Sequence, residues 1–230
     1  MPEAQASGFL WEMQMFAISK VFVCAGALVL VSKELSTSGI DDSLDALLYS
    51  QTVASHKVPD AVEHEAWNDA NKTALKVTGA LFFDDPVISL PVTTPDTFTL
   101  LELTQELLQG WAPAVLNQQV IANLTSQLES DGAALELLQR NILQEGKSIR
   151  FMLGSVSAES TITMVVISFA VKEPVQGNVL ERRFNAEQIV GNLAVDCYKA
   201  LIDADDYCFS RARIIALLGE RREKQIIALT

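Results

Sequence analysis

The stretch Lys147–Val171, KSIRFMLGSVSAESTITMVVISFAV, decides the fold class. Two runs of β character, Lys147–Val156 and Thr161–Val171, flank the short turn Ser157-Ala158-Glu159-Ser160, the pattern of a β-hairpin. The second arm is apolar on both faces in its later half. A strand without a polar face belongs in the middle of a sheet that is covered on both sides.

Upstream, residues 96–146 read as a helical hairpin or trio. Thr99-Leu100-Leu101-Glu102 has the form of a capping box, in which hydroxyl and carboxylate satisfy opposite orphan amides. Gly110 and Pro113 break and restart the chain. Leu116, Val120, Ile121, Leu124 and Leu128 make one stripe that Gly132 can stop, and a further helix carries Leu135, Leu138 and Ile142 to Gly146.

Residues 1–95 read as mixed. An apolar segment with Phe9, Leu10, Trp11, Met13, Met15 and Phe16 leads into Val21–Val31 (VFVCAGALVLV), whose valine content fits a buried strand. Asp41 or Asp42 can cap a helix running to about Ser55 over Leu44, Leu47 and Leu48. The polar stretch His56–Asn71 reads as a loop with a helical turn, and Leu75–Leu90 as two strands broken at Asp84-Asp85-Pro86.

Downstream, Asn185 and Gln188 are placed to cap a helix over 185–219. Val190, Leu193, Cys197, Leu201, Ala204, Cys208, Ala212, Ile215 and Leu218 keep spacings of three or four. On one helix Cys197 and Cys208 share a face, about 20° apart. The expected fold is therefore α/β (α+β). It is a single domain over 1–230 with a mixed or antiparallel sheet, covering amphipathic helices, a β-hairpin within 147–175 and a long C-terminal helix.

The chain has 230 residues, 49% of them hydrophobic, and a net charge of −12. That composition excludes a disordered chain and allows a sizeable core. Residues 1–146 hold 6 Lys and Arg against 19 Asp and Glu, and residues 147–230 hold 11 against 10. No cationic face emerges, which argues against nucleic acid as a partner. Glu3 and Glu12 precede the first lysine, Lys20, contrary to a secretory n-region. The 11-residue run Val21–Val31 falls short of the roughly 20 that a spanning helix needs. Synthesis in soluble form in the cytoplasm is expected, without a standard signal peptide, followed by membrane association or release.

Catalytic signatures are missing from the sequence. His56 and His64 are eight apart, without the i, i+4 spacing of a zinc hydrolase. Asp203, Asp205 and Asp206 suggest a calcium loop, but Cys208 and Ile214 stand where Gly and Glu are required. They read instead as a solvated helical face. No nucleophile elbow, phosphate loop or dinucleotide fingerprint is present. The expectation is a protein without catalysis, metal or cofactor. Three cysteines, Cys24, Cys197 and Cys208, form no disulfide framework and read as reduced thiols. Cys197 and Cys208 are small core hydrophobes, or one of them is a nucleophilic thiol or one acylated by a thioester-linked fatty acid. Arg211 and Arg213 would lower the Cys208 pKa only if that thiol is partly exposed.

The order of elements over 75–171 resembles the Cyt-type cytolytic delta-endotoxins and the related volvatoxin. The stretches concerned are LKVTGALFFDDPVISL, LLELTQELLQGWAPAVLNQQVIANLTSQL and SIRFMLGSVSAESTITMVVISFAV. That resemblance implies a three-layer α/β fold that forms homo-oligomers and permeabilises membranes. A helix after Asn185 departs from it, since that family's chains finish in strands. The segment DCYKALIDADDYCFSRARI resembles the Erwinia virulence factor type. This second resemblance implies a palmitate on Cys208 or Cys197, membrane attachment and no enzymatic activity.

The leading expectation is thus a non-enzymatic, membrane-associated virulence or toxin-like protein that perturbs bilayers or forms pores. Its partner is a lipid membrane or a fatty acyl chain. An acyl-anchored virulence factor is the first alternative. A cytosolic enzyme or small-ligand protein is the second, and a polar pocket around His56 or His64 is the feature that would mark it.

Overall fold

The apolar run Val21–Val31 folds as two strands, not one. β1 (Ile18–Cys24) and β2 (Ala27–Ser32) pair antiparallel around Ala25-Gly26. Ala25 takes φ 50, a region costly for an L residue. The turn is held from two sides: Ala25 N–H donates to the Gln225 carbonyl at 2.8 Å and Gly26 N–H to Gln51 Oε1 at 3.1 Å. Ala-Gly lacks the Asn or Asp that marks such turns, so the run reads as continuous. The computed structural model describes residues 18–83, 97–111 and 118–229. The segment Phe9–Phe16, Leu116, and the strand expected beyond Asp84-Asp85-Pro86 lie outside them.

Helix α1 (Thr37–Lys57) is capped by Ser36, whose hydroxyl accepts from Gly39 N–H at 3.1 Å, and not by Asp41 or Asp42. Asp42 is buried, where Arg211 grips it through Nε at 2.8 Å and Nη2 at 2.6 Å. Helix α2 (His64–Val77) takes the second half of the stretch His56–Asn71, expected as a loop with a helical turn, and it takes in Leu75, expected as strand. Among the described residues of that strand pair, Leu81–Phe82 form β3. The error has a physical cause. The inward side of α2 carries Asn68 and Asn71 beside Trp67, Ala74 and Leu75, and buried asparagines hide the apolar stripe.

The capping box forms as expected at the start of α3 (Leu100–Trp111). Thr99 N–H donates to Glu102 Oε2 at 2.9 Å and Glu102 N–H to Thr99 Oγ1 at 3.2 Å. Helix α4 (Gln118–Ser130) follows, burying Leu124 and Leu128. Gly132 opens the next helix, α5 (Gly132–Ile142), with the Asp131 side chain accepting from Ala134 N–H at 3.0 Å. That helix stops four residues before Gly146, at Ile142, and passes directly into β4 (Leu143–Gln144).

The decisive stretch is a hairpin. β5 (Ser148–Val156) and β6 (Thr161–Val171) pair antiparallel from Ser148↔Ala170 to Val156↔Ile162. Strand β6 is central and buried on both faces, as its composition requires.

The largest correction concerns 185–219, which is not one helix. Residues Ile189–Leu201 form β7, paired antiparallel to β6. A separate helix α6 (Ala204–Leu218) follows, then α7 (Arg221–Gln225) and β8 (Ile226–Leu229). The Asn185–Gln188 reciprocal hydrogen bonds do form, at 3.2 and 3.0 Å, but they close a turn that enters a strand. Asp203 is the N-cap of α6, accepting from Asp205 and Asp206 N–H, rather than part of a helical face.

Among the described residues the sheet has eight strands in the order β3-β7-β6-β5-β2-β1-β8, with β4 also on β5. It is mixed: β2 and β5 run parallel and the other pairs antiparallel. One face packs Val23, Leu30, Phe151 and Phe169 against α3, α4 and α5. The other packs Val29, Met152, Met164 and Tyr198 against α1, α2 and α6. The fold is thus a single three-layer α+β domain ending in a helix and a strand.

Gly154 on β5 pairs with Met164 on β6. A Cβ there would lie 2.3 Å from the Thr163 carbonyl oxygen and 2.8 Å from the Met164 side chain. The backbone oxygen cannot rotate away, so the strands must part. Gly154→Ala should cost about 3 kcal/mol, the upper part of the range for overpacking a core. A urea midpoint within error of the parent would refute this.

Candidate functional site

Arg150 is the one charged residue of the buried strand β5. Strand alternation places it on the Met152 side of the sheet, beneath α2, with Ser168 as its ladder partner on β6. It is 4% exposed. Its guanidinium carbon lies 4.2 Å from the centre of the Trp67 ring, and Trp67 is itself fixed by donating Nε1–H to Ser55 Oγ at 3.1 Å. No carboxylate among the described residues reaches Arg150, and its Nε and Nη2 have no hydrogen-bond partner. Burial lowers its pKa to about 10, so it remains a cation at neutral pH. Buried cations normally have an anionic partner.

A cavity of about 300 Å³ opens beside this group, between the β1–β2 turn, α1, α2, α5, the start of β5, and α7. Arg140 and Arg221 line it with Arg150, and among the described residues no acid does. A second cavity of about 240 Å³ shares Ser55, Gln144 and Arg150, and is bounded by Val58, Pro59, Ala61 and Glu145. The lining groups divide into committed and free. Gln51 is committed, since its Nε2 donates to the Cys24 and Leu47 carbonyls and its Oε1 accepts from Gly26. The side chains of Arg140, Arg221, Gln144 and Gln225 have no partner among the described residues.

A polar layer extends from Arg150 under α2. His64, Asn68 and Asn71 follow one another at helical spacing on the inward side of α2. Asn71 is 1% exposed, and among the described residues neither of its amide atoms has a partner, nor do the buried His64 Nδ1, Asn68 Oδ1 and Ser168 Oγ.

Burial, and then the Arg150 charge, hold the His64 pKa below its usual value, against a smaller opposing pull from Asp60. The neutral imidazole is therefore the folded form near neutrality. As pH falls below about 6.5 the unfolded chain takes a proton first, so this group's contribution to stability declines with acidification until the folded pKa is reached. His64→Gln should flatten the loss of stability between pH 7 and pH 5, measured as urea midpoints. Parallel profiles for parent and variant would refute it.

The chain matches no family model, no curated protein and no solved structure. The site therefore rests on its own geometry.

The residues singled out from the sequence are scattered. Cys197 lies on β7 opposite Val165, half-buried, its pKa pushed up to about 12 by burial and by Asp196. Cys208 lies on α6, exposed, with Sγ donating to the Asp205 carbonyl at 2.8 Å. Cys197 packs with the α3–α5 side of the sheet and α6 covers the other side, so the expected shared face does not exist. Arg211, expected beside Cys208, is taken by Asp42. Cys24 is buried, and burial followed by Asp45 drives its thiol pKa far up.

His64 is the one residue flagged at the outset that lies at the site. Arg150, Trp67, Arg140 and Arg221 were missed. A signal for Arg150 was present: an arginine between Ile149 and Phe151 in a strand buried on both faces.

Proposed function

We propose that this protein binds a small anionic ligand in the cavity floored by Arg150. The observation that carries this reading is the Arg150 guanidinium itself. It is a buried cation, stacked on Trp67, without an anionic partner among the described residues, and it adjoins a cavity lined by two further arginines and no acid. An anion entering there would replace a desolvation penalty with charge-assisted hydrogen bonds. The reading is one of binding: the groups at the site are hydrogen-bond donors and cations suited to holding an anion. The test is thermal melting of the parent and of Arg150→Met against a panel of small phosphates, sulfates and carboxylates at constant ionic strength. At 100 times its dissociation constant a ligand should stabilise the parent by about 2.7 kcal/mol, and the variant should not respond. Equal responses in the two proteins would overturn the reading.

Membrane attachment through an acyl thioester on Cys208 is a second reading. It is favoured by the exposure of that thiol beside Phe209, which is 87% exposed on the same helix. One acyl chain contributes about 0.8 kcal/mol per buried methylene and anchors only marginally. Protein from the native source should then exceed its sequence mass by a fatty-acyl increment that hydroxylamine removes, and an unmodified mass would exclude it. Bilayer perturbation by α3–α5, the layer that the cytolysin resemblance brings forward, predicts dye release from liposomes. Intact vesicles would remove it. No helix among the described residues is long and apolar enough to cross a membrane.

A further inference from the structure

Resting on the anion-binding reading, we infer that the group held at Arg150 is a phosphomonoester carried on a small hydroxylated body. A monocarboxylate is planar, carries a single negative charge on two oxygens, and matches one bidentate guanidinium edge-on. This cavity offers three guanidinium groups from three separate elements: Arg140 from α5, Arg150 from β5 and Arg221 from α7. A phosphomonoester is close to a dianion at neutral pH, with three strong acceptor oxygens that take donors from different directions. Three forks, with no acid among the described lining residues, match that charge and that shape, whereas a monocarboxylate would leave cations without a role.

The rest of the lining indicates the body of the ligand. Gln51 is consumed in holding the β1–β2 turn, and Asn141 Nδ2 in bonding the Leu137 carbonyl. The Gln144 and Gln225 amides and Asn141 Oδ1 remain uncommitted among the described residues. Amides that both donate and accept suit hydroxyl groups and leave an alkyl chain unrewarded. A volume of about 300 Å³ is at the lower end for ligand pockets, so the body is compact.

The experiment is isothermal titration calorimetry at constant ionic strength with glycerol 3-phosphate, glucose 6-phosphate and inorganic phosphate. Acetate, malonate and citrate are the carboxylate arm, and vesicles containing phosphatidic acid are the lipid arm. Phosphomonoesters should bind at least tenfold more tightly than any carboxylate. The double variant Arg140→Ala/Arg221→Ala, altered only at exposed positions, should weaken them at least tenfold and change acetate binding by less than threefold. Vesicle capture that free glycerol 3-phosphate reverses would identify a lipid headgroup as the source of the same phosphomonoester. Carboxylates binding as tightly as phosphates, and lost in Arg150→Met, would overturn the phosphomonoester assignment and leave the anion reading standing. An absence of heat from every anion would overturn both.

Discussion

Arg150→Met should melt about 4 °C above the parent protein in the absence of added anions. The guanidinium is 4% exposed and has no anionic partner among the described residues, so the folded state carries the desolvation penalty of an ion, several kcal/mol after relaxation. Stacking on Trp67 returns about 2 kcal/mol of it. Methionine has similar length, keeps a polarizable contact with the indole and removes the charge. The net gain is about 1–2 kcal/mol, and in a chain of this size each kcal/mol is worth about 2–4 °C. Stability gained where function is lost is the signature of a site held unsatisfied for its ligand. A fall of several degrees would show that Arg150 is held by the fold itself and needs no ligand to balance its charge.

The same residues explain why the site is harder to read from sequence than the fold. The β5–β6 hairpin and the Thr99–Glu102 capping box are local patterns, set by alternation and by a hydroxyl and a carboxylate three residues apart, and both form. The mixed α+β class follows from them. The segment 189–201 fails because two periodicities coexist in it. Val190, Leu193, Cys197 and Leu201 satisfy helical spacing, while Leu193, Val195 and Cys197 alternate toward one core and Tyr198 and Ala200 toward the other. Long-range pairing with β6 selects the second, which no local propensity reveals.

Helix α2 fails for a reason tied to the site. Asn68 and Asn71 occupy inward positions that an ordinary amphipathic helix would fill with leucine, so a structured element reads as a polar loop. The cavity joins residues from 25 to 225 in the chain, a juxtaposition created entirely by tertiary packing.

Arg222→Ala should produce the largest loss of stability, about 3–5 kcal/mol, or about 10 °C in melting temperature. Asp45 is 1% exposed on α1, and Arg222 Nε reaches its Oδ1 at 2.6 Å. Burial raises the Asp45 pKa, the Arg222 hydrogen bond and charge oppose that rise, and Asp41 and Asp42 add to it. Without Arg222 the carboxylate is left in the core with two acidic neighbours. The sign of the pH dependence follows. A carboxyl whose folded pKa lies above its unfolded value binds more protons when folded, so its penalty is felt at neutral pH and fades as pH falls toward the folded pKa. The Arg222→Ala deficit should therefore shrink on acidification from pH 7, and adding Asp45→Asn should restore more than half of it at pH 7. A deficit independent of pH, or one that Asp45→Asn fails to relieve, would mean that Arg222 acts through packing of its alkyl stem against α1 and not through the charge it neutralises.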